Sequence, residues 1–169
     1  MSGFVQRLHM GRRSDGMKYF VDDDHWDVLG YSKQLREILP QFNKKTRKFL
    51  RKHSFHDGEV RSLEILNYSD RKKKDPTTIR MVIEQYEGGT YQIEWLNVRK
   101  FFMDYDIKRN TYGGKSKKIV FGGKRGLADW GYDEILPLTK KTWQHEIYLF
   151  SETTIIIQCR DIQIKKIKN

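Results

Sequence analysis

The spacing of apolar residues changes at Phe55-His56-Asp57-Gly58-Glu59-Val60. Upstream of this stretch they recur at helical intervals, and downstream they alternate at strand intervals almost to the C-terminus. That switch confines the chain to an α+β arrangement, with helices in the N-terminal third and a sheet built from the remainder. Gly58 stands at the change of period, where a backbone without Cβ allows whatever φ the new direction needs.

Upstream, Asp22-Asp23-Asp24 precedes Trp26, Leu29, Leu35, Ile38 and Leu39, whose later spacing is helical. Acidic residues suit the positive end of a helix dipole, and Pro40 sets the end of this first helix. Gly30 weakens its first half and allows a break there. A second helix over residues 42–53 is cleaner. Phe42, Phe49, Leu50 and His53 fall on an arc of roughly 100°, while Lys44, Lys45, Arg47, Lys48, Arg51 and Lys52 spread over roughly 160° of the opposite side. Such a side is either a solvated outer face or a surface for a polyanion.

Beyond Gly58 the period is two. Leu63 and Ile65 alternate with Ser62 and Glu64 in a first strand, and Arg71-Lys72-Lys73-Lys74-Asp75-Pro76 reads as a charged turn. Ile79, Met81 and Ile83 point one way, Glu87-Gly88-Gly89 turns the chain, and Tyr91, Ile93 and Trp95 carry the return strand of an antiparallel hairpin. The pattern lapses between Asp104 and Gly126, in a long loop region that encloses Ile119-Val120. An edge strand follows around Ile135, Leu136 and Leu138. Trp143, His145, Ile147 and Leu149 then alternate with polar residues. Thr154 to Cys159 is β-branched enough for a central strand, and Ile162, Ile164 and Ile167 close the last.

The 169 residues suit a single domain over residues 17–169, preceded by a flexible basic tail, 1–16, in which Arg7, Arg12, Arg13 and Asp15 sum to +2. Aromatic residues at 13% promise a core of rings and isoleucine, and 33% charged residues promise a strongly solvated surface. No stretch reaches the roughly 18 apolar residues of a membrane span, and the N-terminus lacks the apolar segment of a secretion signal. The lone Cys159 excludes an internal disulfide and suits a reducing cytoplasm. The formal charge of +11 favours polyanions or an acidic partner.

Several motifs invite chemistry. Tyr112-Gly113-Gly114-Lys115 and Phe121-Gly122-Gly123-Lys124 suggest phosphate cradles, but a P-loop needs glycine five residues before the Gly-Lys, and Arg109 occupies that place ahead of Gly114-Lys115-Ser116. Gly123-Lys124 is followed by Arg125 instead of Ser or Thr, so nucleotide hydrolysis is rejected and anion contact by Lys115 and Lys124 is kept. His56, Asp57, His145 and Asp161 would make a reasonable zinc or manganese set, since imidazole and carboxylate together suit those ions. The alternative is that His56, Asp57 and Gly58 form a structural junction, the polar pair hydrogen-bonding backbone where helix passes to strand. Serines and Cys159 show no nucleophile motif. Tyr91, Trp95, Phe101 and Phe102 are either base-stacking rings or core.

Met17-Lys18-Tyr19-Phe20, Trp26, Leu39-Pro40 and Phe55-His56-Asp57-Gly58 resemble a family of small bacterial proteins of unknown function. Tyr91-Gln92-Ile93-Glu94-Trp95-Leu96-Asn97-Val98, His145-Glu146-Ile147, Ile155-Ile156-Ile157 and Asp161-Ile162 fit the same family. The opening with His-Asp-Gly followed by a strand is similar to that of immunity-type proteins, which neutralise polymorphic toxins. The resemblance covers residues 17–167 and implies toxin neutralisation by protein binding. It assigns no site residues. Many such toxins are cationic nucleases that an acidic inhibitor suits, whereas this chain carries +11.

These readings combine into two N-terminal helices packed on a mostly antiparallel sheet of six to seven strands. The expected function is non-catalytic binding of another protein, immunity-type neutralisation being its concrete form, with no cofactor. A nucleic-acid-binding module is the alternative, using Lys44, Lys48, Arg51 and Lys52 with the loop lysines Lys115 and Lys124. A metal-dependent hydrolase is the third reading.

Overall fold

The computed structural model describes residues 17–22, 24–69, 72–110 and 125–167. It begins with a short hairpin, β1 (Phe20–Asp22) and β2 (His25–Trp26), and then two helices, α1 (Val28–Ile38) and α2 (Lys44–Lys52). The strands that follow are β3 (Glu59–Asn67), β4 (Thr77–Gln85), β5 (Gly89–Leu96), β6 (Lys100–Asp104), β7 (Trp130–Thr139), β8 (Thr142–Leu149), β9 (Thr153–Cys159) and β10 (Asp161–Lys166). Among the described residues the chain is therefore mostly sheet with two α-helices. In place of the single expected sheet, the described strands form the β1–β2 ribbon and two four-stranded antiparallel sheets, ordered β10-β5-β4-β3 and β6-β9-β8-β7.

Two strand pairs explain why one sheet becomes two. The β5–β10 ladder ends at Leu96 and Asp161, and the β6–β9 ladder resumes at Lys100 and Gln158. Between them, Arg160 N–H donates to the Leu96 carbonyl at 3.1 Å and Arg99 N–H to the Gln158 carbonyl at 2.7 Å. Hydrogen bonding thus continues around a corner at which both chains change sheet, the usual device for folding strands over a common core. Asn97 adopts φ +53°, a left-handed conformation that asparagine tolerates. Its side-chain amide donates to the Asp75 carbonyl at 3.0 Å, and Arg160 pairs with the Asp75 carboxylate at 3.2 Å. Opposite, the sheets meet again where Glu59 bridges Asp129.

One core fills the space between the sheets. Ile79, Met81, Ile83, Ile93, Trp95, Trp130, Ile135, Ile147, Leu149, Ile155, Ile157 and Ile162 are all fully buried. The expected hairpin is present: Ile79 faces Trp95, Met81 faces Ile93 and Ile83 faces Tyr91, and Gly89 takes φ +85° at the turn. β9 lies between β6 and β8 as a central strand should. Ile65 is 59% exposed on β3, which has a neighbour on one side only and a bulge between Val60 and Ser62.

The helices differ in detail from expectation. α1 starts later than the aspartate run suggests: Asp27 is its N-cap, accepting from Gly30 N–H at 2.7 Å. Gly30 falls in the first turn, where a Cβ would lie 2.1 Å from the Asp27 carboxylate, and no break occurs. Asn43 caps α2, accepting from Lys45 and Thr46 N–H at 3.0 Å each. Phe42 thus lies outside the helix, yet it still packs on Trp143 with ring centroids 5.1 Å apart.

Both helices cover sheet edges. The fully buried Thr46 hydroxyl donates to the Ile162 carbonyl at 3.2 Å and accepts from Ile164 N–H at 2.9 Å, taking the place of a strand neighbour for β10. Tyr31 does the same for β7, its hydroxyl accepting from Ile135 N–H at 3.0 Å. The buried Glu134 carboxylate accepts from the backbone N–H groups of Lys18, Tyr19 and Phe20, which fastens the N-terminal segment to the outside of β7.

Replacing Thr46 with Val leaves two edge groups of β10 unsatisfied and is expected to cost about 1–3 kcal/mol, measured by urea unfolding, with Thr46→Ser retaining most of the stability. Gly58→Ala is expected to cost about 1–3 kcal/mol in the same assay, because its Cβ would sit 2.6 Å from Ile83 Cγ2 and 2.9 Å from the Phe55 carbonyl.

Candidate functional site

The outer side of α2 is the most strongly charged surface that any described element presents. Between Glu37 and Asp57 the sequence contains no carboxylate, while Lys44, Lys45, Arg47, Lys48, Arg51 and Lys52 contribute six cations. Thr46 and Phe49 are buried against β10 and the core, which fixes the rotation of the helix. Lys44, Lys45, Lys48, Arg51 and Lys52 are consequently exposed, and Arg47 is half-buried. None of these six pairs with a carboxylate among the described residues. Four arginines on the sheets and their connections behave differently. Arg61 bridges Glu59 and Glu84, Arg80 bridges Glu64 and Glu94, Arg109 pairs with Asp104, and Arg160 pairs with Asp75.

Beside this face runs a groove of about 460 Å³ between α1 and α2, lined by Ser32, Leu35, Arg36, Leu39, Leu50 and Arg51. A second, smaller cavity of about 60 Å³ lies behind α2 and reaches Tyr31, His53, Asp133 and His145. It has room for a few water molecules and is far below the size of a small-molecule pocket.

His145 is fully committed within the core. Trp95 Nε1–H donates to its Nδ1 at 2.9 Å, and its Nε2 lies 2.8 Å from Asp133 Oδ2. Because Trp95 can only donate, Nδ1 is the acceptor, and the proton sits on Nε2, donated to Asp133. The other carboxylate oxygen of Asp133 accepts from Trp130 Nε1–H at 2.9 Å. Both ring nitrogens are used, so this His–Asp pair resembles a general base in composition only.

The candidate set His56, Asp57, His145 and Asp161 forms no metal site among the described residues. His145 is buried in the network just described, and Asp161 accepts from Ile162 N–H and from the Gln163 amide on its own strand. His56 and Asp57 are exposed together at the junction, with His56 Nε2 3.5 Å from Asp57 Oδ1. Among the described residues no group of three or more histidine, cysteine, aspartate or glutamate side chains is placed to hold a metal ion. Cys159 is buried, and burial, aided by Asp161, pushes its thiol well up, away from the thiolate a nucleophile needs.

The Phe55–Gly58 junction works as a structural lock. Gly58 N–H donates to the Phe55 carbonyl at 2.8 Å, Asp57 N–H to the Trp130 carbonyl at 2.9 Å, and Trp130 N–H to the Gly58 carbonyl at 2.8 Å. His56 Nδ1 bonds the Gly131 carbonyl. The left-handed residue here is Asp57, at φ +62°, and not Gly58, whose lack of a side chain leaves space for Ile83 and the Phe55 carbonyl. Lys115 and Lys124, with both Gly-Gly-Lys loops, lie outside the described residues, as do the tail residues 1–16. Trp95 is core, Tyr91 and Phe101 are partly buried against it, and Phe102 stands on the outer face, 46% exposed.

Thr46 was missed by sequence reading, although a signal existed. At 100° per residue it falls between Phe49 and Leu50, in the middle of the apolar arc. A polar side chain there needs a buried partner, and the β10 edge supplies it.

No family model and no curated protein matches the chain. A crystal structure of an uncharacterized protein from Neisseria gonorrhoeae is similar over 68% of this chain and 95% of that one, at 15% identity and a TM-score of 0.39. A likeness of that size leaves function to this chain's own side chains. No helix among the described residues is long and apolar enough to cross a membrane.

Tyr31 gives a pH-dependent test of the α1–β7 contact. Burial first, then the nearby Asp133 charge, raise its phenol well above the ordinary value of 10.0. The folded state therefore holds this proton more tightly than the unfolded chain. The resulting stability is complete below pH 10 and is lost as pH rises from 10 toward the raised folded value, at up to about 1.4 kcal/mol per unit. Tyr31→Phe is expected to lower stability at neutral pH and to flatten the alkaline decline by one proton's contribution. Urea unfolding on both sides of pH 10 measures this, and equal slopes in the two proteins would refute it.

Proposed function

We propose that this protein is a non-catalytic binding domain that engages a macromolecular partner through the cationic face of α2. The observation that carries the reading is the density of cations on one short helix, six in nine residues. Arg61, Arg80, Arg109 and Arg160 are each neutralised by carboxylates, whereas the six cations of α2 meet none among the described residues. A helix pinned by Thr46 and Phe49 presents those cations as a fixed array. The partner contributes the missing negative charge.

The resemblance to immunity-type proteins gives the reading its concrete form, capture of a toxin protein. With this array, the contacting surface of the toxin is acidic, which separates it from cationic nucleases. Membership of the small bacterial family is part of the same proposal. Nucleic acid is the second reading, favoured by Lys44, Lys48 and Lys52 standing one turn apart along a single stripe, as a backbone-tracking surface requires. A hydrolytic reading has little support from the occupied nitrogens of His145.

Reversing Lys44, Lys48 and Arg51 to Glu tests the face directly. The wild-type protein is expected to be retained on heparin and released by salt, and the triple variant to pass through at physiological ionic strength with an unchanged melting curve. Equal retention of the two proteins would refute this use of α2.

A further inference from the structure

The groove between α1 and α2 adds an apolar lining to the positive charge of the cationic face. Its lining combines the aliphatic residues Leu35, Leu39 and Leu50 with Ser32 and the arginines Arg36 and Arg51. Arg36 is steadied by its Nε donating to the Ser32 carbonyl at 3.1 Å. Neither arginine pairs with a carboxylate among the described residues. Leu29, three residues before Ser32 and seven before Arg36, shares their stripe of α1 and is 83% exposed. An aliphatic side chain left that open on the helix that forms one side of the groove extends the apolar track by about one turn.

We infer that this groove takes an acidic amphipathic helix of a partner protein, its leucine-type anchors against Leu29, Leu35 and Leu50 and its carboxylates against Arg36 and Arg51. The inference rests on the binding role of α2 and names the chemistry of the partner. Charge complementarity selects the occupant: a neutral apolar segment would strand both guanidinium groups, and a nucleic-acid backbone would leave the leucines without a counterpart. The dimensions agree. The eleven residues of α1 make a track roughly 16 Å long, matched by three turns of a helix with apolar anchors at i, i+3 or i+4, and i+7. Arginine is suited to the task, since its planar fork binds a carboxylate in two-point fashion while its stem lies on apolar surface.

The test uses the full chain and three fluorescein-labelled probes followed by polarisation. One is a glutamate-rich peptide with leucines at i, i+3 and i+7. The second is a scrambled peptide of identical composition, and the third is a single-stranded DNA oligonucleotide of equal charge. The amphipathic peptide is expected to bind about ten-fold more tightly than its scrambled isomer, and Leu29→Glu to erase that advantage. Leu29 is exposed, so this variant keeps the fold. Arg36→Glu with Arg51→Glu is expected to weaken the amphipathic peptide further. Equal binding of the two peptides, both weakened by Lys44→Glu and Lys48→Glu, would overturn the groove while leaving the cationic face intact. Tighter binding of the oligonucleotide than of either peptide would overturn it in favour of nucleic acid. Binding of none of the three would remove both the groove and the cationic face.

Discussion

Backbone groups on β10 and β7 have a strand neighbour on one side only, and an uncovered edge of that kind costs free energy if buried and invites aggregation if exposed. A helix resolves the problem on each. Thr46 of α2 offers one hydroxyl to both an N–H and a carbonyl of β10, and Tyr31 of α1 accepts from β7. These contacts place the helices. Once Thr46 must reach Ile162 and Ile164, the rotation of α2 is set, and with it the direction in which Lys44, Lys48 and Lys52 point. The cationic face and the groove beside it are consequences of covering an edge.

A second polar device ties the sheets to each other. Trp95 stands on β5 and His145, Asp133 and Trp130 on β7 and β8, so the chain of hydrogen bonds from indole to imidazole to carboxylate to indole crosses the core from one sheet to the other. Buried networks of this kind are costly when half satisfied and specifying when complete. Here each ring nitrogen and each carboxylate oxygen has a partner. The same completeness that fixes the alignment of the sheets occupies the imidazole, leaving no free ring nitrogen to take a substrate proton. Structure and catalysis compete for His145, and structure holds it.

Local periodicity carried much of this architecture. Alternation around Glu87-Gly88-Gly89 identified the β4–β5 hairpin and its inward residues, and the charge segregation of α2 identified its two sides. Two sheets in place of one were not legible, because a period of two tells which side a residue faces and is silent on which sheet it belongs to. The corner is marked only by Asn97 at φ +53° and by Asp75 binding both Asn97 and Arg160 across long sequence separations. Glu134 holding the backbone of residues 18–20, over a hundred positions away, is invisible for the same reason. At the junction, glycine drew attention as the residue of unusual φ, whereas the tertiary packing of Ile83 demanded its small size and left the strained conformation to Asp57.

The cationic face of α2, which meets no carboxylate among the described residues, is a cost that the rest of the fold sustains. Lys44, Lys48 and Lys52 are successive i, i+4 neighbours, and each like-charged pair opposes an isolated helix by about 0.2–0.5 kcal/mol. A nine-residue helix is too short to bear that by intrinsic propensity. It persists because the Asn43 cap satisfies its first free amides while Thr46 and Phe49 anchor the opposite side. On the sheets, where Arg61 and Arg80 sit among glutamates, the same chain arranges charge to cancel. Cancellation was therefore available to it, and on α2 none of six cations finds it among the described residues. A ligand bringing carboxylates to that face removes the repulsion and gains the attraction together, so the helix that is least favourable alone is the one for which an acidic partner gains most.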